Sequence, residues 1–238
     1  MYIGHLAVAF AAKRVAPKTS LGTLIAASQM VDLIWPILVL TGLEVVVIDP
    51  GNTVVTPLYF KKYPYSHSLV AVVGWASLFA LAYWIFTRYR PGAVIVWVVV
   101  MSHWVLDVIS HRPDLPLYPG GEKLLGFGLW NSLMATLLLE GGMFVAGVVI
   151  YMKATSARDR TGKFALWALI IFLIMTYFVN VFGPPPPQGS ERVVILTSLL
   201  LWILLPWGYW IDRHGRAKAQ KATLNAYNPL IVLEQEED

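Results

Sequence analysis

From Ser66 to His111 the chain is almost unbroken hydrocarbon, "SHSLVAVVGWASLFALAYWIFT" and then "GAVIVWVVVMSHWVLDVISH", parted only by Arg88-Tyr89-Arg90-Pro91. In lipid every backbone N–H and C=O must find a partner within its own segment, so runs of this kind fit spanning helices and little else. One crossing takes ~20 residues at about 1.5 Å each. On that measure helices are expected near 3–16, 20–42, 66–88, 91–111, 127–152, 163–182 and 191–211. The expected fold is all-α, a polytopic transmembrane bundle of about six to seven helices. Residues 1–212 would form a single domain, followed by a cytoplasmic, partly disordered tail over 213–238 that turns basic and then acidic. "GPPPPQGSE" reads as a stiff extended turn before the last helix, and no internal repeat stands out.

Composition agrees. Of 238 residues 57% are hydrophobic and 13% charged, against about 45–50% and about 25% in soluble domains. Ten Trp and eleven Tyr suit repeated membrane–water crossings. With no cysteine, disulfides and thiolate sites are excluded, and a metal would have to be held by His, Asp or Glu. The net charge of +4 is not gathered into an aromatic-interleaved basic stripe, so nucleic acid is not an expected partner.

Loop charge gives the expected orientation. In "MYIGHLAVAFAAKRVAPK" the basic residues follow the apolar run, the reverse of a cleavable signal. Thirteen of the 18 Lys and Arg fall on one set of alternating loops. By the positive-inside rule that set is cytoplasmic. A cell (inner) membrane protein is expected, its N-terminus outside, its C-terminus inside, and the loops at 43–65, 111–126 and 183–190 outward. The alternation counts the short first segment as a crossing.

Ionisable side chains within spans are costly and point to function by default. They are His5, Asp32, His67, His103, Asp107, His111 and Glu140. Counted from the inner helix ends, His5, Asp32, His103 and Glu140 lie at about 18–21 Å, Asp107 at ~24 Å, and His67 and His111 at ~30 Å. Four helices thus bring polar groups to one band in the outer half of the bilayer. His103, Asp107 and His111 repeat at i, i+4 and i+8, so neighbours share one helical face and can share a metal or bridge two. Ser102 and Ser110 flank that face. Asp32 precedes Pro36 by one turn, where the missing N–H permits a kink that opens space around the carboxylate. Structural readings compete at each position: a polar packing seam or proton relay for the trio, a frayed chain start for His5, an exposed cap for His67, close helix packing around Gly141-Gly142 for Glu140.

"VDLIWP", "YPYSHSL" and "SHWVLDVISH…LPLYPGG" together resemble the YdjM-like family of membrane-bound metal-dependent hydrolases. The resemblance covers roughly residues 1–125, with Asp32, His67, His103 and Asp107 matching that family's motif positions. Ile34 stands where a second Asp is common, and Lys61-Lys62-Tyr63-Pro64 replaces a His-Arg-Gly stretch. The residue order is also distantly similar to zinc-dependent phospholipase C, a likeness that would give His5 and His111 further metal positions.

The resemblance implies a hydrolase that attacks a phosphoester of an amphiphilic or lipid substrate through a metal-activated water. Asp32, His67, His103 and Asp107, with His5 and His111, would hold one or two divalent ions, Zn by preference, with Mn or Fe also suited to a sulfur-free N/O set. Asp32, Asp107 and Glu140 would carry the catalytic work, Asp107 as a bridge and Asp32 or Glu140 as proton acceptor. Arg112, Lys123 and Asn131 are the expected substrate contacts, and membrane lipids the expected partners. A proton- or ion-coupled permease using the same groups as a relay is the competing expectation, and an adaptor with a structural metal site is a third.

Overall fold

The computed structural model describes residues 1–217. It is mostly helical, 67%, with a few short strands and no closed sheet. Five helices are long and apolar enough to cross a membrane, or six if one bent pair counts as a single span. They are α5 (Leu69–Thr87), α6 (Arg90–Ser110), α7 (Leu133–Ala154), α8 (Arg160–Phe182) and the run Glu191–Arg213. That last run is α9 (Glu191–Ser198) and α10 (Leu204–Arg213), joined through a tighter 3₁₀ stretch at Leu199–Ile203. Such a set fits a multi-pass membrane protein.

The helix expected over 20–42 is broken. α2 (Leu21–Ser28) and α3 (Met30–Leu40) meet at Gln29 with a bend of 54°. The bend falls at Gln29 (φ −104°, ψ 4°), not at Pro36, which lies inside α3. Helix 127–152 begins late, at Leu133, because Gly126 and Gly128 take positive φ (156° and 73°), and a 3₁₀ turn at Leu129–Asn131 follows. The segment 43–65, expected as loop, contains an antiparallel hairpin of β1 (Val45–Ile48) and β2 (Leu58–Lys62). Its strands carry the β-branched and aromatic residues that pack well on a pleated surface. A one-turn helix, α4 (Pro64–His67), then leads into α5, which Ser68 caps by accepting the Ala71 N–H. Two further small pairs are β3 (Leu115–Pro116) with β4 (Leu124–Leu125), and β5 (Thr155–Ala157) with β6 (Gly215–Ala217). Residues just past 212 therefore belong to the folded body. The tail expected to be disordered otherwise lies outside the described residues.

α1 (Ile3–Ala12) is the hub. Ten residues rise ~15 Å, about half a hydrocarbon core, so α1 does not cross alone as the loop alternation suggested. Most of its residues are buried, with α7, α2, α6 and α8 packed around it. Phe10 sits edge-on to Phe144 and Tyr151, centroids 6.0 and 5.4 Å away. Close approach depends on small residues. A Cβ on Gly147 of α7 would stand 2.4 Å from the Ala7 carbonyl oxygen, and one on Gly208 of α10 2.7 Å from Gly22 Cα of α2. Where helices meet backbone to backbone, dispersion and packing supply the attraction that hydrophobicity cannot supply in lipid.

Gly147→Ala should therefore lower the thermal midpoint in detergent, at a cost of about 1–3 kcal/mol for overpacking. Gly74→Ala, where nothing lies within 4 Å, should leave the midpoint unchanged or raise it. Equal midpoints for the two variants would refute the backbone contact.

Candidate metal centre

The four histidines of the expected band converge on one carboxylate. Asp107, on the penultimate turn of α6, is 2% exposed. Its Oδ1 lies 3.0 Å from His5 Nε2, 3.9 Å from His111 Nε2 and 2.8 Å from the Met1 amino nitrogen. Its Oδ2 lies 3.1 Å from His103 Nε2 and 3.9 Å from His67 Nε2. Asp32 closes the second set, with Oδ1 3.6 Å from His67 Nε2 and 3.7 Å from His103 Nε2.

The elements explain the convergence. His103 and Asp107 share a face of α6 at i, i+4 spacing. The bend at Gln29 starts α3 in a new direction, and Asp32 stands in its first turn. His67 ends α4 and His111 caps α6. Both are buried at 3%. His5 enters from α1, its ring stacked on His103 with centroids 3.7 Å apart and planes 3° from parallel.

Three of the imidazoles are pinned through Nδ1. His103 Nδ1 is 2.8 Å from the Ser28 carbonyl oxygen, which can only accept, so Nδ1 carries the proton. His111 Nδ1 is 3.0 Å from Asp114 Oδ1, and His67 Nδ1 is 2.6 Å from Ser66 Oγ. Tyr63 donates to the same Asp114 oxygen at 2.6 Å. Burial, and then the Asp114 carboxylate, push the Tyr63 phenol well above its usual range, so it remains a donor. Each pinned ring turns its Nε2 toward Asp107. No hydrogen bond satisfies His103 Nε2 although Asp107 Oδ2 is 3.1 Å away.

Bare imidazole nitrogens facing carboxylate oxygens repel unless a proton or a metal cation stands between them. Among the described residues two groups have donor atoms close enough to hold an ion: the buried His5, His103 and Asp107, and Asp32, His67 and His103, of which Asp32 is partly exposed. Asp107 Oδ2 lies beside the second group, 3.1 Å from His103 Nε2 and 3.9 Å from His67 Nε2. The donor types and the hydrogen bonds behind the imidazoles suit a divalent ion.

A cavity of about 430 Å³ opens beside the cluster. Asp32, 28% exposed at its side chain, is the cluster's face on it, and His67, Asp107, His111 and Glu140 also line it. Its other wall, from α8 and the Glu191–Arg213 run, is mixed: Phe172, Val181, Val194 and Leu201 stand among Thr176, Asn180, Thr197 and Ser198. Glu140 stands apart from the ligand groups. Its Oε2 accepts the Tyr2 N–H at 2.9 Å, and Trp130 Nε1 donates to Oε1 at 3.4 Å.

The expected substrate contacts do not line this cavity. Arg112 leaves the bundle after the α6 cap, its guanidinium 4.4 Å from the Tyr59 ring centroid, and lines a second cavity under the hairpin. Lys123 and Asn131 are exposed. Ser102 bonds back to its own helix at Val99, whereas Ser110 lies 3.3 Å from the Met1 nitrogen. Sequence reasoning missed Ser66, Asp114, Tyr63 and the Ser28 carbonyl. Two had a signal, since Ser66 adjoins His67 and Asp114 is three residues past His111. Comparison of the chain with protein-family models, curated proteins and solved structures finds no match.

Replacing Asp107 alone leaves the Met1 amino group and the imidazoles facing one another without their carboxylate. Asp107→Ala, measured with chelator present, should lower stability by about 3–5 kcal/mol, the cost of breaking a buried ion pair. An unchanged thermal midpoint would show that the carboxylate is not the shared partner.

Proposed function

We propose that the protein is an integral-membrane, metal-dependent hydrolase acting on a phosphoester of an amphiphilic substrate. One observation carries the reading: separate elements pin three histidines through Nδ1 and aim their Nε2 atoms at a single buried carboxylate. Asp32, His67, His103 and Asp107 would hold the ion, with Zn²⁺ favoured by donor type. A divalent ion held there supplies a Lewis acid and lowers the pKa of water within its reach.

The remaining work falls to the chain. Asp107 offers one oxygen to each donor set, which suits it to bridge two positions, with His5 and His111 on the Oδ1 side. Asp32 reaches into the cavity and can orient a nucleophilic water. Glu140, on the cavity wall and held by the Tyr2 N–H, would accept its proton. The polar end would take a head group, and the apolar residues of the opposite wall a chain. Loop charge supports an outward-opening site in the cell membrane, with the C-terminus cytoplasmic. The likeness of Asp32, His67, His103 and Asp107 to the YdjM-like motifs agrees with this reading. Convergence on one carboxylate, rather than a string of groups across the bundle, favours ligands over a permease relay.

Purified protein from zinc-replete growth should carry at least one divalent ion per chain by elemental analysis. His103→Ala and Asp107→Ala should each strip it. The detergent-solubilised protein should release a soluble phosphorylated head group from phospholipid, and chelation should abolish that release. Activity confined to transport across sealed vesicles would overturn the hydrolase reading.

A further inference from the structure

Glu44 takes no part in the donor set, yet it is 1% exposed. It lies in the turn between α3 and β1 and reaches the start of α4. Oε1 accepts the backbone N–H groups of Tyr65 and Ser66, each at 2.8 Å. Oε2 accepts the Ser66 hydroxyl proton at 2.7 Å. A hydroxyl has one proton, and this one is committed to Glu44. In the 2.6 Å contact between Ser66 Oγ and His67 Nδ1, the nitrogen must then be the donor. His67 is left with a lone pair at Nε2, facing Asp32 Oδ1 at 3.6 Å and Asp107 Oδ2 at 3.9 Å.

We propose that Glu44, acting through Ser66, is a positioning residue that sets the tautomer of His67 and thereby keeps its Nε2 available to a cation. The inference rests on the metal-centre reading given above. The pinned rings differ in what holds them. His103 leans on a carbonyl and His111 on a carboxylate, acceptors that can only take a proton. His111 also has the Tyr63 hydroxyl at 3.4 Å, but that hydroxyl donates to Asp114. The Nδ1 of His67 leans on a hydroxyl with no such obligate acceptor beside it. Without Glu44 the hydroxyl is free to donate to Nδ1. The proton would then move to Nε2, where two carboxylates welcome it and an ion cannot bind. A purely structural cap for α4 would need only the two bonds at Oε1. The bond at Oε2 is the one that reaches the imidazole.

Glu44→Gln tests this with little change of shape. The amide oxygen can still accept both backbone N–H groups, while the amide NH₂ donates to Ser66 Oγ and reverses the direction of that bond. The full chain in detergent is titrated with Zn²⁺ against a chromophoric chelator, and ¹⁵N-histidine spectra of the metal-free protein report the tautomer. The His67 resonances are assigned by their loss in His67→Asn. Wild type should show the proton on Nδ1. Glu44→Gln should move it to Nε2 and weaken Zn²⁺ binding about 10- to 100-fold, the usual effect of losing such an outer partner. Ser66→Ala, which leaves both bonds at Oε1, should weaken binding in the same direction, and it carries the test if Glu44→Gln does not fold. An Nδ1 proton and wild-type zinc affinity in these variants would overturn the role of Glu44 and leave the metal centre standing. Absence of zinc binding in the wild type would instead remove the metal centre, while the tautomer spectra would still decide what Glu44 does.

Discussion

A single carboxylate organises the interior. Asp107 is fully enclosed, and a buried charge is tolerable only when partners surround it. Those partners come from α1, α4, α6 and the α6 cap, so the elements must meet at one point for the carboxylate to be satisfied. The bend at Gln29 adds Asp32 from a further direction. Burial therefore selects an arrangement of helices as much as a site. The same requirement gathers His and Asp donor atoms closely enough that they could hold a metal ion.

The apolar frame makes the arrangement affordable. α1 is too short to span but is packed among α2 and the longer α6, α7 and α8, which hold its buried start near Asp107. Gly147 and Gly208 let backbones touch, so the helices around α1 approach closely. α8 and α9 belong to the cavity wall and not to the cluster. The division leaves a polar end supported by interlocked helices and a mixed wall on the opposite side.

The ligand-type residues were legible in the sequence because ionisable groups are conspicuous against hydrocarbon. Common depth linked His5, Asp32, His103 and Glu140, and helical spacing linked His103, Asp107 and His111. Depth does not say which way a side chain turns: Glu140 shares the band but faces Tyr2 and Trp130. The hairpin at 45–62 was passed over because hydropathy in a loop between spans says little about pairing.

The sequence by itself determined the helical, membrane-type architecture and the inventory of polar groups, since long apolar runs admit few other folds and each buried charge demands a partner. Only the tertiary structure decided the roles within that inventory. The break at Gln29, the direction of each imidazole and the reach of Glu44 through Ser66 depend on backbone turns and on contacts between residues far apart in the chain. No local pattern encodes them. A histidine's spacing shows that it can be a ligand, but which nitrogen it presents is fixed by whatever holds the other one.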